Sequence, residues 1–179
     1  MSGVTCYLCV YVIVITITAY TIVRFNNTKK RAAKEKSETM SKVAHEKFHV
    51  LAEIDGFRAD FKLIVDDVSK YIIIMRSTSD YKEIPFSEII GAEIYVDGEP
   101  YPCYPQRKST ITTLHVILRS FAVNEKLLCL DAWEATGHTK HSIRKSDSIY
   151  GCEFRKGIAT IEKIITQIER ILAINIREL

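Results

Sequence analysis

Hydrophobic and polar positions change period several times along the chain, and each change marks a different element. Residues 4–23, VTCYLCVYVIVITITAYTIV, carry no charge. At ~1.5 Å per residue such a helix spans the ~30 Å hydrocarbon core of a bilayer. Residues 28–54 then turn polar, without Gly or Pro, and Met40, Val43, Ala44, Phe48 and Leu51 recur at helical spacing. That spacing predicts an amphipathic helix closed by Gly56. Residues 61–66 and 71–75 are short apolar runs on either side of Asp67-Val68-Ser69-Lys70, which reads as a hairpin turn. Residues 81–85 form a third strand, and residues 85–88 turn into a fourth at 89–96. There Ile90, Ala92, Ile94 and Val96 face one way and Glu93 and Tyr95 the other. Asp97-Gly98 ends that strand.

Residues 99–109 hold three of the four prolines and read as an exposed loop. A hairpin of 112–119 with 126–133 follows, then the polar loop 138–146. The closing helix carries Phe154, Ile158, Ile161, Ile165, Ile168 and Leu172 on one stripe, widened by Ile164 and Ile171. Such a stripe needs a sheet to lie on. The predicted class is therefore α+β: an N-terminal transmembrane helix and helical stem, then an antiparallel sheet or partial barrel closed by a C-terminal amphipathic helix. The expected divisions are 1–23 as anchor, 24–56 as basic juxtamembrane stem and 57–179 as the folded domain.

Charge sets an orientation for that arrangement. Arg24, Lys29, Lys30, Arg31, Lys34 and Lys36 follow the apolar run, with only Glu35 among them. The positive-inside bias places the N-terminus outside and the domain in the cytoplasm, and these six residues are placed to meet anionic headgroups. A net charge of +3 is too small to argue for nucleic acid. The five cysteines, Cys6, Cys9, Cys103, Cys129 and Cys152, show no framework spacing and are expected as free thiols.

The order LIVDDVSKYIIIM, then IPFSEIIGAEIYVDG, a variable loop, a hairpin and a long helix resembles the pleckstrin-homology-like domains of bacterial single-pass membrane proteins. The likeness covers residues 57–172. Six strands are legible where that fold has seven, so the seventh is expected before Phe61 or within 99–109. Eukaryotic relatives of the fold bind phosphoinositides through a basic turn between the first two strands. Here that turn is Asp66-Asp67-Val68-Ser69-Lys70, whose acids do not suit phosphate, so the activity does not carry over.

One motif carries catalytic chemistry. His45-Glu46-Lys47-Phe48-His49 matches H-E-x-x-H, in which histidines at i and i+4 of a helix grip zinc and the glutamate activates its water. Its likeness to zinc metallopeptidases covers five residues. Lys47 puts a charge inside the motif, no sheet precedes it, and a third ligand is available only by default from Glu53 or Glu93. Solvated helix histidines are the simpler account, and no cofactor or metal is expected.

The best positive patch is His138, Lys140, His141, Arg144 and Lys145, suited to anionic lipid or an acidic partner. Tyr101 and Tyr104 mark the proline loop as a second surface. His138, His141, Cys103 and Cys152 match no metal-site spacing. The sequence thus predicts a membrane-anchored cytoplasmic binding or scaffolding module without catalysis. Its partners would be the membrane and a protein, met through an exposed strand edge or these loops, or another copy through the apolar stem face. The alternative is a membrane-tethered zinc hydrolase using His45, Glu46 and His49.

Overall fold

The computed structural model describes residues 3–101, 110–131, 143–144 and 151–177. Side chains are described from residue 11 onward within them, except at 110–111, 143–144 and 151–152. Helix α1 (Gly3–Lys47) leads into β1 (Val50–Asp55). A 3-10 turn (Phe57–Ala59) is followed by β2 (Lys62–Asp66), β3 (Tyr71–Met75) and β4 (Tyr81–Pro85). A second 3-10 turn (Phe86–Glu88) opens β5 (Ile89–Val96). Then come the two-residue strands β6 (Glu99–Pro100) and β7 (Thr110–Ile111), the long β8 (Thr113–Ser120) and β9 (Asn124–Asp131), and the short β10 (Ile143–Arg144). Helix α2 (Gly151–Arg177) closes the chain.

Two four-stranded antiparallel sheets result, with orders β1-β2-β3-β4 and β6-β5-β8-β9, besides a small β10-β7 ribbon. The α+β arrangement with a C-terminal helix is as the sequence predicts. Among the described residues no ladder joins the two sheets, so they do not close into a barrel. Arg76, just past β3, and Lys82 of β4 instead reach Glu125 of β9 at 3.5 and 2.9 Å, side chains spanning the gap that hydrogen bonds between strands do not.

The strand missing from the sequence reading is β1, taken from the C-terminal part of the predicted stem helix. Helix α1 ends at Lys47 because the next backbone groups find tertiary partners. Phe48 still donates to the Ala44 carbonyl at 2.8 Å, but the His49 N–H is taken by Asp66 Oδ2 at 3.1 Å. From Val50 the chain alternates, Ala52 and Ile54 toward the core and Glu53 and Asp55 away from it, and pairs with β2 from Val50↔Asp66 to Asp55↔Lys62.

Asp66 fixes this corner. Its Oδ1 accepts the N–H groups of Val68 and Ser69 at 3.1 and 2.8 Å, an Asx turn closing the predicted hairpin, while Oδ2 holds His49. Burial alone would raise its carboxyl. The backbone donors outweigh that, and its pKa lies below the ordinary value.

The main core lies between the inner faces of both sheets and α2. Leu63, Val65, Ile72 and Ile74 of the first sheet meet Leu114, Val116, Leu118 and Leu127 of the second, under Ile161, Ile164, Ile168 and Ile171. Gly157 lets α2 approach β9: a Cβ there would stand 3.1 Å from the Cys129 carbonyl oxygen and from Leu130 Cβ.

A second apolar cluster lies on the outer face of the first sheet. Met40 and Ala44 of α1 are fully buried there against Ile64, Ile73 and Met75, with Val43 and Phe48 at its edge. The stem's apolar face therefore finds cover within the chain. Leu51, included in that face, belongs to β1 and is exposed.

The transmembrane prediction is overturned. Among the described residues no helix is long and apolar enough to cross a membrane. Thr16, Thr18 and Thr21 set hydroxyls among the apolar residues of α1, each bonded to a backbone carbonyl one turn back, and from Arg24 onward the helix turns charged. The single-pass anchor and the outside/cytoplasmic placement built on it are withdrawn with it.

Candidate binding surfaces

The HEKFH segment straddles a helix end. His45 and Glu46 lie in the last turn of α1, whereas His49 is past it, so the two histidines do not share a helix face. His45 instead turns to β1, with Nε2 2.9 Å from Glu53 Oε1. Glu53, a third-ligand candidate, is thus beside one histidine but already committed. Its Oε2 accepts Ser41 Oγ at 2.7 Å and Lys62 Nζ at 3.1 Å. Among the described residues no group of three or more His, Cys, Asp or Glu side chains is placed to hold a metal ion. Glu93, the other candidate, lies in the second sheet with Arg119 Nη2 at 2.6 Å and the Tyr95 hydroxyl at 3.2 Å.

What replaces a zinc site is a polar seam between α1 and the first sheet. Ser37, Ser41 and His45 recur every four residues on one face of α1, and Glu53 and Asp55 every two on the outer face of β1. Lys62 of β2 lies between them, its side chain only 2% exposed, with Nζ 2.8 Å from Asp55 Oδ1 and 3.1 Å from Glu53 Oε2. Ser37 Oγ donates to Asp55 Oδ1 at 2.9 Å. Burial alone would lift the Glu53 carboxyl. Hydrogen bonds from Ser41 and Lys62 and the charges of Lys62 and His45 outweigh it, and its pKa falls below the ordinary 4.5. This seam escaped the sequence reading, because its three elements meet only once β1 is a strand.

The predicted surface residues divide. Tyr101 is exposed, and its N–H donates to the Ile94 carbonyl at 2.8 Å. Arg144 falls in β10, paired with Thr110 of β7. Tyr104, His138, Lys140, His141, Lys145 and Cys103 lie outside the described residues. The basic residues Arg24, Lys30, Arg31, Lys34 and Lys36 are exposed along α1, while Lys29 is half-buried over the Phe25 ring and Lys34 pairs with Glu38. Their role at a membrane surface rested on the anchor.

The geometry singles out the outer side of β5. On one side β5 pairs with β8 along its length, with a bulge at Ile90. On the other, among the described residues, it meets only β6, at Tyr95↔Pro100 and Val96↔Glu99. The Asp97-Gly98 turn starts this second hairpin, both residues at positive φ (52° and 85°), the signature of a two-residue hairpin turn. Past Pro100 the Tyr101 N–H still bonds the Ile94 carbonyl, the last contact of this hairpin among the described residues.

Since the Ile94 carbonyl points to the β6 side, the two-residue period points the peptide groups of Ala92 there too. No described strand takes them. Beside this edge the exposed Ile90 and Tyr101 mark the two ends.

Helix α2 flanks the same edge. It packs chiefly on β5 and β9. Lys156, Thr160 and Lys163 line a cleft of about 310 Å³ with Phe57, Arg58 and Cys129, which assigns that flank to the β9 side. Ile158, Ile165 and Leu172, on the opposite flank of the helix, are half-buried against the main core. No family model, no curated protein and no solved structure matches this chain.

Proposed function

We propose that the chain is a non-catalytic binding module that recruits a protein partner through the edge of its second sheet. The observation that carries this is the unequal covering of the two sheets. Helix α1 occupies the outer face of the first sheet, α2 lies over the inner faces, and the outer side of β5 from Ile89 to Glu93 has no strand beside it among the described residues. Unpaired strand edges are the parts of a sheet most ready to accept another chain. A pleckstrin-homology-like architecture belongs to the same proposal, supported by the order of seven longer strands, β1 to β5 with β8 and β9, before one terminal helix.

A photo-crosslinking residue placed at Ile90 or Tyr101, and as a control at Val68 on the far β2–β3 turn, tests the proposal in the producing cell. All three positions are exposed. Protein adducts from the first two and none from Val68 are expected. Adducts at equal yield from all three, or from Val68 alone, would refute it.

A further inference from the structure

The cleft of about 310 Å³ lies where the end of β1, the first 3-10 turn, β9 and α2 meet, and all of its lining residues are described. Its size is at the lower end of the range for small-molecule sites. Half-buried Phe57 and buried Cys129 give it an apolar side. Burial pushes the Cys129 thiol up to about 12, so no thiolate stands there to repel an anion. Gly157 seats α2 on β9 next to Cys129, and Lys156, Thr160 and Lys163, spaced on one helix face, run along the cleft.

The charges in this lining do not balance. Both of its carboxylates are held, Asp55 by Lys62 at 2.8 Å and Glu153 by Lys156 at 3.0 Å. Two further cations remain. Arg58 is half-buried, its guanidinium 5.4 Å from the Phe57 ring centre, and Lys163 is exposed and makes no ion pair among the described residues. The backbone singles out the same place. Arg58 and Ala59 both take left-handed φ (50° and 56°), which residues with a Cβ adopt at a cost. Outliers of this kind collect at ligand sites, and here one of them is the residue that carries the guanidinium.

We infer that this cleft binds a small organic anion, a carboxylate or phosphate monoester carried on a flat apolar body. Arg58, Lys163 and the Thr160 hydroxyl take the anionic group, for which the planar fork of a guanidinium is suited. The Phe57 ring and Cys129 take the body. The site goes beyond the partner-recruiting edge, since none of its lining residues belongs to β5.

The test is saturation-transfer NMR followed by calorimetry on the purified full chain, with benzoate, 2-naphthoate and phenyl phosphate as ligands. Benzyl alcohol supplies the ring without the charge, and inorganic phosphate the charge without the ring. At least one of the three aromatic anions should bind, about tenfold or more tightly than either control compound. Lys163→Glu, on an exposed helix face, and Arg58→Asn, which tolerates the left-handed backbone, should each weaken that binding about tenfold. Lys30→Glu, exposed on α1 and outside the cleft, makes the same charge change and should leave it unaltered. Lack of binding by all three anions would overturn the inference. So would binding that ignores both cleft variants, binding that Lys30→Glu weakens equally, or inorganic phosphate binding as tightly as the aromatic anions. Cross-linking at Ile90 and Tyr101 is read separately, so either proposal can fail alone.

Discussion

Replacing Lys62 by Met tests whether the seam between α1 and the first sheet holds the fold together through charge. Methionine keeps the apolar stem and removes the ammonium that lies 2.8 Å from Asp55 and 3.1 Å from Glu53. Removing one partner of a buried ion pair costs about 3–5 kcal/mol, because the other charge stays desolvated and unpaired. Here Asp55 is half exposed and can rehydrate, whereas Glu53 is only 22% exposed. Most of the penalty therefore falls on Glu53, and about 2–3 kcal/mol is expected after that discount.

The pH dependence separates charge from packing. Because the Glu53 pKa is depressed in the folded state, its contribution is fully present above the ordinary carboxylate value and is lost as pH falls through the folded value. Lys62→Met removes the largest positive influence on Glu53, so the variant should lose less stability than wild type on acidification. Adding Glu53→Gln to Lys62→Met should recover much of the loss. Urea denaturation of all four forms of the cycle, at neutral pH and near pH 4, measures both effects. A Lys62→Met loss that is identical at the two pH values, or unrelieved by Glu53→Gln, would refute the electrostatic account and leave lost packing as the cause.

Met40→Ala should destabilise by about 2–4 kcal/mol, since its fully buried side chain fills the second cluster; it should also raise amide exchange in the last turns of α1 before it does so in β8. Gly157→Val should cost about 1–3 kcal/mol in chemical denaturation, because the added atoms meet the Cys129 carbonyl and Leu130 at contact distance. Burial pushes the Cys129 thiol up to about 12, so alkylation at this position should be negligible near neutral pH and appear only on unfolding, as peptide mapping by mass spectrometry would read. Purified protein should carry no stoichiometric zinc by elemental analysis, because Lys62 and Ser41 occupy the carboxylate beside His45; stoichiometric zinc lost in His45→Ala would contradict this.

By itself the sequence determined the elements whose periods are unambiguous. The Asp66–Lys70 turn, the β5 alternation from Ala92 to Val96, the β8–β9 hairpin and the α2 stripe follow from local residues, because alternation at two or near 3.6 leaves one consistent apolar face; Ile90, expected on that face, is instead exposed because the bulge between Ile89 and Gly91 turns Ile89 inward in its place. The non-alternating runs KLIV and YIIIM also carried a signal: strands apolar on successive positions are buried on both faces. What covers their outer face was not legible, because the apolar positions of residues 40–51 fit one helix as well as a helix followed by a strand. Tertiary pairing with β2 and the capture of the His49 N–H by Asp66 decided for the strand.

That choice separated the two HEKFH histidines and assembled Ser37, Ser41, Glu53, Asp55 and Lys62 from three elements. The candidate edge was decided in the same way. A run of prolines announces a loop, but only the ladder shows that Glu99 and Pro100 pair with Val96 and Tyr95, and that among the described residues no strand lies beside Ile89 to Glu93 on that side. Local preference sets which face of an element is apolar; only the packed chain sets what that face, or an unpaired edge, has beside it.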